Sequence, residues 1–317
     1  MNPIYSDVHI DAALSNVSTA YMQDVNDFAA LKVFPVVNVD KQTNKYWKFN
    51  KEDWFRDTAQ LRAPATESAG SGMELSTDSY ACDNYALHSD LPWEVARNAD
   101  LDMTRPIAEF LTRKILIRLE TEFAANYMAL TKWDTDYDIN ASSTKWDAAT
   151  GSNPSKDIQT QKTAVKLATG FEPNTLVLTA DVYGALKDNS DIIERIKYVG
   201  AGGIVEDARL KEYFGVKNIF VMAATKNTAA KKKTDVMTGA WFATKKALLC
   251  YVPDAPGLLT PAAGYTFSWG AMTGGAQIAT RNFEIDTLMA TRYENNAFVD
   301  QKLVGAGLGA LMYNVIT

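Results

Sequence analysis

The residues able to do chemistry are few, and their spacing fails each familiar use. His9 and His88 are the two histidines of the 317-residue chain, one near the N-terminus and one in the arm, which leaves little material for a histidine-based triad or a zinc site. Asp134, Asp136 and Asp138 open like a calcium loop. Ile139, however, stands where the turn needs glycine, and Lys145 where a bidentate Glu should close the site; a solvated acidic loop is expected instead. Gly200-Ala201-Gly202-Gly203 lacks the third glycine spacing of a dinucleotide fingerprint, and Gly305, Gly307 and Gly309 lie too near the C-terminus for a following βαβ unit. No GxxxxGK[ST] or GxSxG motif occurs. Cys82 and Cys250 give neither a disulfide framework nor a metal site and read as two reduced thiols in strands. Asp and Glu total 38, so carboxylate-only catalysis stays open, but no pair stands out from the solvated background. The expectation is a protein that is not an enzyme, without cofactor or metal.

Composition agrees with a globular chain. A hydrophobic content of 47% supports a sizeable core, and the length allows one large domain or two ordinary ones. Net charge is −6 with a pI near 5.1, which argues against a surface that holds nucleic acid by neutralising phosphates. It leaves open a container whose wall must not stick to what it encloses. No apolar run has the length of a membrane helix and no signal peptide is recognisable, so the sequons at Asn16 and Asn140 carry no weight and a cytoplasmic protein without membrane contact is expected.

The elements that must position any site are easier to read. From Glu52 to Arg113 there is no lysine, and within this run the polar stretch 57–72 separates two strand-like segments. Residues 42–51 alternate, with Lys45, Trp47 and Phe49 on one face and Tyr46, Lys48 and Asn50 on the other; residues 73–91 return. A two-stranded arm is marginal in water and needs another surface to lie on, which can belong to another copy of the chain. After the arm, Ile107, Phe110, Leu111, Ile115, Leu119, Phe123, Tyr127 and Leu130 recur at helical spacing, with Pro106 in the first turn, and predict a helix over 106–130. It would be roughly 37 Å long. The remainder reads as mixed: helices at 157–169 (closed by Gly170), 180–187, 190–198 and 205–214, and strands at 175–179, 218–222, 241–251, 265–269, 283–293 and 310–316. Lys132-Trp133-Asp134 recurs as Lys145-Trp146-Asp147 inside one polar segment, read as a surface excursion with Trp anchors. Lys231, Lys232 and Lys233 sit in a polar loop at 226–234. They could meet an acidic neighbour or nucleic acid; a solvated loop tip is the plainer reading.

In this order the parts resemble the major capsid proteins of tailed bacteriophages with the HK97-type fold. The resemblance is carried by Tyr21-Met22-Gln23-Asp24 and Val33-Phe34-Pro35-Val36 in the N-terminal arm, and by Lys45-Tyr46-Trp47, Phe55-Arg56-Asp57, Arg62-Ala63-Pro64 and Glu67-Ser68 in the hairpin. Thr179-Ala180-Asp181-Val182-Tyr183, followed by 189–198, completes it. It implies an α+β fold: an N-terminal arm (1–39), an extended hairpin loop (40–95), a peripheral domain with a long spine helix (96–170), an axial domain (171–280) whose loop holds Lys231, Lys232 and Lys233, and C-terminal strands returning to the peripheral domain (281–317).

The resemblance further implies a shell subunit forming pentamers and hexamers around double-stranded DNA in a virion assembled in the host cytoplasm. Each hairpin would lie on an adjacent subunit. Arg56, Arg62 and Glu67 at its tip would meet Arg113, Arg118, Glu120 and Glu122 of a neighbour's spine helix. Met1 leads within a few residues into the arm, so a separate scaffolding protein and no large cleavage are expected, with a portal and possibly a decoration protein as further partners. A tip without lysine argues against the hairpin isopeptide crosslink of the type member. The alternatives are an encapsulin-type nanocompartment shell, which shares the fold, and a cytoplasmic α/β enzyme.

Overall fold

The helical periodicity becomes a helix from Thr104 to Tyr127, 24 residues long and therefore about 36 Å. It begins where the Asp102 carboxylate accepts the Thr104 N–H at 2.9 Å. The computed structural model describes residues 23–49, 53, 55–99, 102–148, 150–197, 207–230, 237–257 and 260–317. His9, Asn16, Gly200 to Gly203 and Lys231 to Lys233 lie outside them.

In chain order the elements are α1 (Ala30–Val33), β1 (Val36–Val39), β2 (Thr43–Phe49), β3 (Leu75–Ala81), β4 (Asp83–Pro92), α2 (Trp93–Asn98) and the spine helix α3 (Thr104–Tyr127). There follow β5 (Thr135–Asp138), α4 (Ile139–Ser142), α5 (Pro154–Thr169), β6 (Thr175–Thr179), α6 (Ala180–Lys187), α7 (Ser190–Lys197), α8 (Asp207–Phe214), β7 (Asn218–Met222), β8 (Thr225–Asn227) and β9 (Gly239–Trp241). The chain closes with β10 (Lys246–Cys250), β11 (Gly264–Trp269), α9 (Gly270–Thr273), β12 (Ala279–Ile285), β13 (Ala290–Leu303) and β14 (Gly309–Tyr313).

Two five-stranded sheets carry the core. The first is built on β13, which pairs antiparallel with β4, β11 and β12, while β1 adds parallel to β11. The spine helix crosses it: Ile107 and Leu111 cluster with Tyr293 and Leu91, and Ile115 and Leu119 with Ala297 and Val299. The second sheet has the order β5-β14-β10-β6-β7. Its central strands β14, β10 and β6 are buried on both faces, so they read as nearly continuous apolar runs. Leu176, Leu178, Leu249 and Met312 face a cluster with Ile158, Val182, Leu186 and Phe214 of the helices; Val177, Leu248 and Leu311 face Phe34 and Phe123. Phe34 is fully enclosed, 5.2 Å edge-to-face from Phe123. Only a glycine fits opposite it, since a Cβ on Gly264 would stand 2.4 Å from the ring.

Four expectations need correction. The 73–91 strand breaks at Cys82 into β3 and β4, which join different sheets. The 241–251 strand breaks into β9 and β10, and the 283–293 strand is the turn between β12 and β13. These last two breaks fall on non-glycine residues with positive φ, Lys245 at 57° and Met289 at 44°, where a side chain costs about 1–2 kcal/mol. Tertiary contacts hold them: the Asp181 carboxylate accepts the Lys245 N–H at 2.8 Å, and the Met289 carbonyl accepts the Trp93 N–H. The Lys132–Asp147 segment is anchored by buried Trp133 and Trp146, yet it is no mere excursion, because β5 within it pairs parallel with β14.

Phe34→Ala should lower the stability of the unassembled subunit by about 3–5 kcal/mol in urea unfolding, through loss of transfer energy and a cavity the surrounding rings cannot fill. Leu61→Ala, at a fully exposed side chain, should change it by less than about 0.5 kcal/mol.

Candidate subunit interface

The hairpin arm is β2 and β3, in register from Thr43 opposite Ala81 to Phe49 opposite Leu75. The period of two divides it into faces. Tyr46 and Tyr80 turn to the body, where Tyr80 stacks on Phe267 at 4.6 Å and Tyr46 lies 5.5 Å from the same ring. Trp47 turns outward and is 59% exposed, with Leu75 also exposed. On the inner face the Asp78 carboxylate accepts from Lys48 at 2.8 Å and from the Tyr46 hydroxyl at 3.1 Å. The Lys48 hydrogen bond holds the Asp78 pKa below the usual carboxylate range. Both partners are substantially exposed, so the pair adds at most about 1 kcal/mol.

The arm pivots at Cys82. The Ala81 N–H donates to Asp300 Oδ2 at 2.8 Å, the Cys82 N–H to the Gln42 carbonyl, and the Gln42 side-chain amide back to the Cys82 carbonyl at 3.1 Å. Burial raises the Asp300 pKa, and the Ala81 N–H and Lys302 partly offset it. Beyond β2 and β3, residues 57–72 run without helix or strand. They carry one tight turn: Arg62 Nε donates to the Thr66 carbonyl at 2.6 Å, and Thr66 Oγ1 to the Ala63 carbonyl at 2.7 Å. Arg56, Arg62 and Glu67 are all exposed. At the root of this loop Phe55 lies on the helix cap Gly170, where an added Cβ would be 2.8 Å from the ring.

The four spine-helix residues do not form one patch. Arg118 and Glu122 pair at 2.6 Å on the exposed side, and Glu122 also accepts the Tyr85 hydroxyl at 2.8 Å; burial first and this bond second raise that phenol to about 12. Arg113 is half-buried with Nη1 enclosed and lacking a hydrogen-bond partner. Glu120 is 1% exposed and accepts the backbone N–H groups of Ala29 and Ala30 from its own chain at 2.9–3.2 Å. Glu120 is therefore withdrawn as a contact with a neighbour. The helical spacing contained the signal: Leu116, Glu120 and Ala124 fall at i, i+4 on one stripe, so the carboxylate lies on an apolar face. Asp300, which sequence reasoning missed, has no such signal, because its role depends on a strand break.

The remaining chemical candidates are occupied locally. Asp136 accepts the Thr131 N–H and Asp138 the Asn140 N–H. Cys82 and Cys250 are buried free thiols, pushed by burial to about 11 and about 12. Among the described residues no group of three or more His, Cys, Asp or Glu is placed to hold a metal ion, and no helix is long and apolar enough to cross a membrane.

The architecture is a long helix laid over one sheet, a second sheet walled by short helices, and a two-stranded arm resting on the first sheet. No family model matches the chain. In sequence it is 28% identical over 244 residues to the major capsid protein of Burkholderia phage BcepMu, covering 77% of this chain and 76% of that protein. In structure it is similar to a phage-related protein from Bordetella bronchiseptica RB50, with TM-score 0.72, 23% identity and coverage of 93% of this chain and 94% of the other. The capsid of cyanophage P-SCSP1u aligns with TM-score 0.62 and 11% identity over 97% and 93%. An encapsulin from Synechococcus elongatus PCC 7942 aligns with TM-score 0.53 and 12% identity over 96% and 94%. The fold is HK97-type, shared with these phage capsid and encapsulin structures, and the sequence similarity is to a phage major capsid protein.

Asp300→Ala removes the acceptor that fixes the arm's pivot. Hydrogen exchange at the Ala81 amide should speed up about tenfold or more, the equivalent of one charge-assisted hydrogen bond, while exchange in β6 stays unchanged.

Proposed function

We propose that this chain assembles into the pentamers and hexamers of an icosahedral shell enclosing double-stranded DNA, with the hairpin arm as a noncovalent clasp on an adjacent subunit. The observation that carries this reading is the arm itself. Its inner face rests on Phe267, while Trp47 and Leu75 on the outer face and Leu61 in the tip are left in solvent. An arm of two strands with exposed Trp47 and Leu75 on its outer face gains its burial from another surface, and a second copy of the chain supplies one at every position of a closed ring. Interfaces of this obligate kind bury on the order of 2,000–5,000 Å².

On this reading Arg56, Arg62 and Glu67 contact a neighbour's spine helix through Arg118 and Glu122, the two of the four helix residues that stand on its outer side. The first sheet with the spine helix forms the peripheral domain. The second sheet forms the axial domain; it includes β5 and β14, which the expected spans 96–170 and 281–317 assign to the peripheral domain. A scaffolding protein, a portal and a decoration protein are the partners such a shell would use, with assembly in the host cytoplasm. The encapsulin similarity supports a second reading, a nanocompartment around an enzyme cargo; the contents of purified particles, DNA or protein, separate the two.

Replacing Arg56 and Arg62 together with Glu should leave a folded subunit by circular dichroism and abolish shells in electron micrographs. Intact shells from that variant would overturn the clasp. The lysine-free run from Glu52 to Arg113 leaves the tip without the amine an isopeptide needs, so boiling particles in detergent should release monomer on a denaturing gel. A ladder of covalent multimers would refute the noncovalent clasp.

A further inference from the structure

We propose that Glu120 is a proton-operated latch that fastens the chain's own N-terminal arm to the spine helix, holding the arm when neutral and loosening it when ionised. The inference concerns the single subunit and stands independently of the shell reading.

The geometry is that of a carboxyl group closed inside the protein. Glu120 projects from the middle of α3 with 1% of its surface exposed. Both oxygens face the start of α1: Ala29 N lies 3.2 Å from each, and Ala30 N 2.9 Å from Oε2. No salt bridge reaches it among the described residues. Its surroundings are apolar, with Leu116, Phe28 and Ala224 buried in one cluster beside it. Among the described residues the arm is otherwise tied at Gln23, whose side chain exchanges hydrogen bonds with Thr225 at 2.6 and 2.9 Å. It is also tied at its inner end by Phe34 in the core. Glu120 sits between these two attachments and reads the stretch that joins them.

An ionised carboxylate in such a place loses most of its hydration, and two backbone dipoles replace it incompletely. The charged groups on the elements packed here are Asp24, Asp27 and Lys32 on the arm, Arg113 two turns earlier on α3, and Lys226 on β8. Of these, Lys32 favours the ionised form of Glu120, and from a distance, since its ammonium donates to the Asn26 carbonyl at 2.8 Å. Burial outweighs the two N–H bonds and Lys32 and pushes the Glu120 pKa from 4.5 up to about 7. The sign follows by linkage. With the arm lifted, water reaches the carboxyl group and its pKa returns toward 4.5, so the docked state binds the proton more tightly than the open one. The contribution to docking is complete below about pH 4.5, falls as pH rises, and is gone above about pH 7.

Hydrogen exchange of the full-length chain tests this. The amides of Ala29 and Ala30 are followed at pH 5.5 and pH 8.5, and their rates are corrected for intrinsic exchange. Between these pH values the opening constant should rise about tenfold or more in the wild type and less than about twofold in Glu120→Gln, which keeps the shape and cannot ionise. Lys32→Met removes the cation that favours ionisation and should steepen the rise. It also serves as the test if Glu120→Gln does not fold. An opening constant independent of pH in the wild type, the same slope in Glu120→Gln, or an unchanged slope in Lys32→Met would each overturn the latch.

Discussion

The contact between the spine helix and strand β13 organises the rest of the molecule. One face of β13 offers Tyr293, Ala297 and Val299 to the apolar stripe of the helix, and a polar pin stands among them. Asn295 is fully buried, and its amide donates to Thr112 Oγ1 at 2.8 Å and to the Ala108 carbonyl at 3.3 Å. A slip of one residue would turn the apolar set away from the helix and leave that amide unpaired. The register of β13 is thereby fixed, and β13 passes it on. Asp83 lies opposite Val299 and Gly264 opposite Leu303, so one helix contact sets both the root of the hairpin arm and the strand on which the N-terminal segment lies.

Phe34 joins this first layer to the second sheet. It enters a cluster that includes Phe123 and Tyr127 of the helix and Val177, Leu248 and Leu311 of the central strands, and it closes on a glycine. The short segment before β1 is in this way part of the core. Its first residues are held differently, by the Glu120 carboxyl group on backbone amides and by the Gln23 amide on Thr225. Polar ties of that kind open at a lower free energy than packed rings do. The chain therefore has one rigid junction at Phe34 and graded attachments on either side of it.

Much of this was legible in the sequence because it obeys one periodicity over a long enough span. The helix at Thr104–Tyr127, the buried strand at Thr175–Thr179 and the Gly170 cap at φ 74° each follow from apolar spacing or from a residue that only one conformation suits. The failures share a cause. Met289 and Lys245 turn the chain without glycine, so local propensity continues a strand that distant partners have ended. Glu120 and Arg113 appear as two more charges on a helix until their azimuth is compared with Leu116 and Ala124. Arg56, Arg62 and Glu67 were placed in the exposed tip, as the polar stretch implied, but what they meet depends on another molecule, and one chain's pattern of burial does not encode it.

Two ordinary preferences are inverted in this subunit: Trp47 stands in solvent and Glu120 is enclosed. Each inversion stores free energy in the isolated chain. The exposed indole offers an aromatic anchor of the kind that dominates protein interfaces, and docking it removes apolar surface from water at roughly 25 cal/mol per Å². The enclosed acid weakens an internal attachment whenever it ionises. An arm whose outer face leaves Trp47 in solvent and an N-terminal segment whose hold varies with protonation are both poorly explained by selection for monomer stability alone. They are consistent with a chain whose lowest free energy is reached among its copies, where many modest contacts act together and no single one has to be strong.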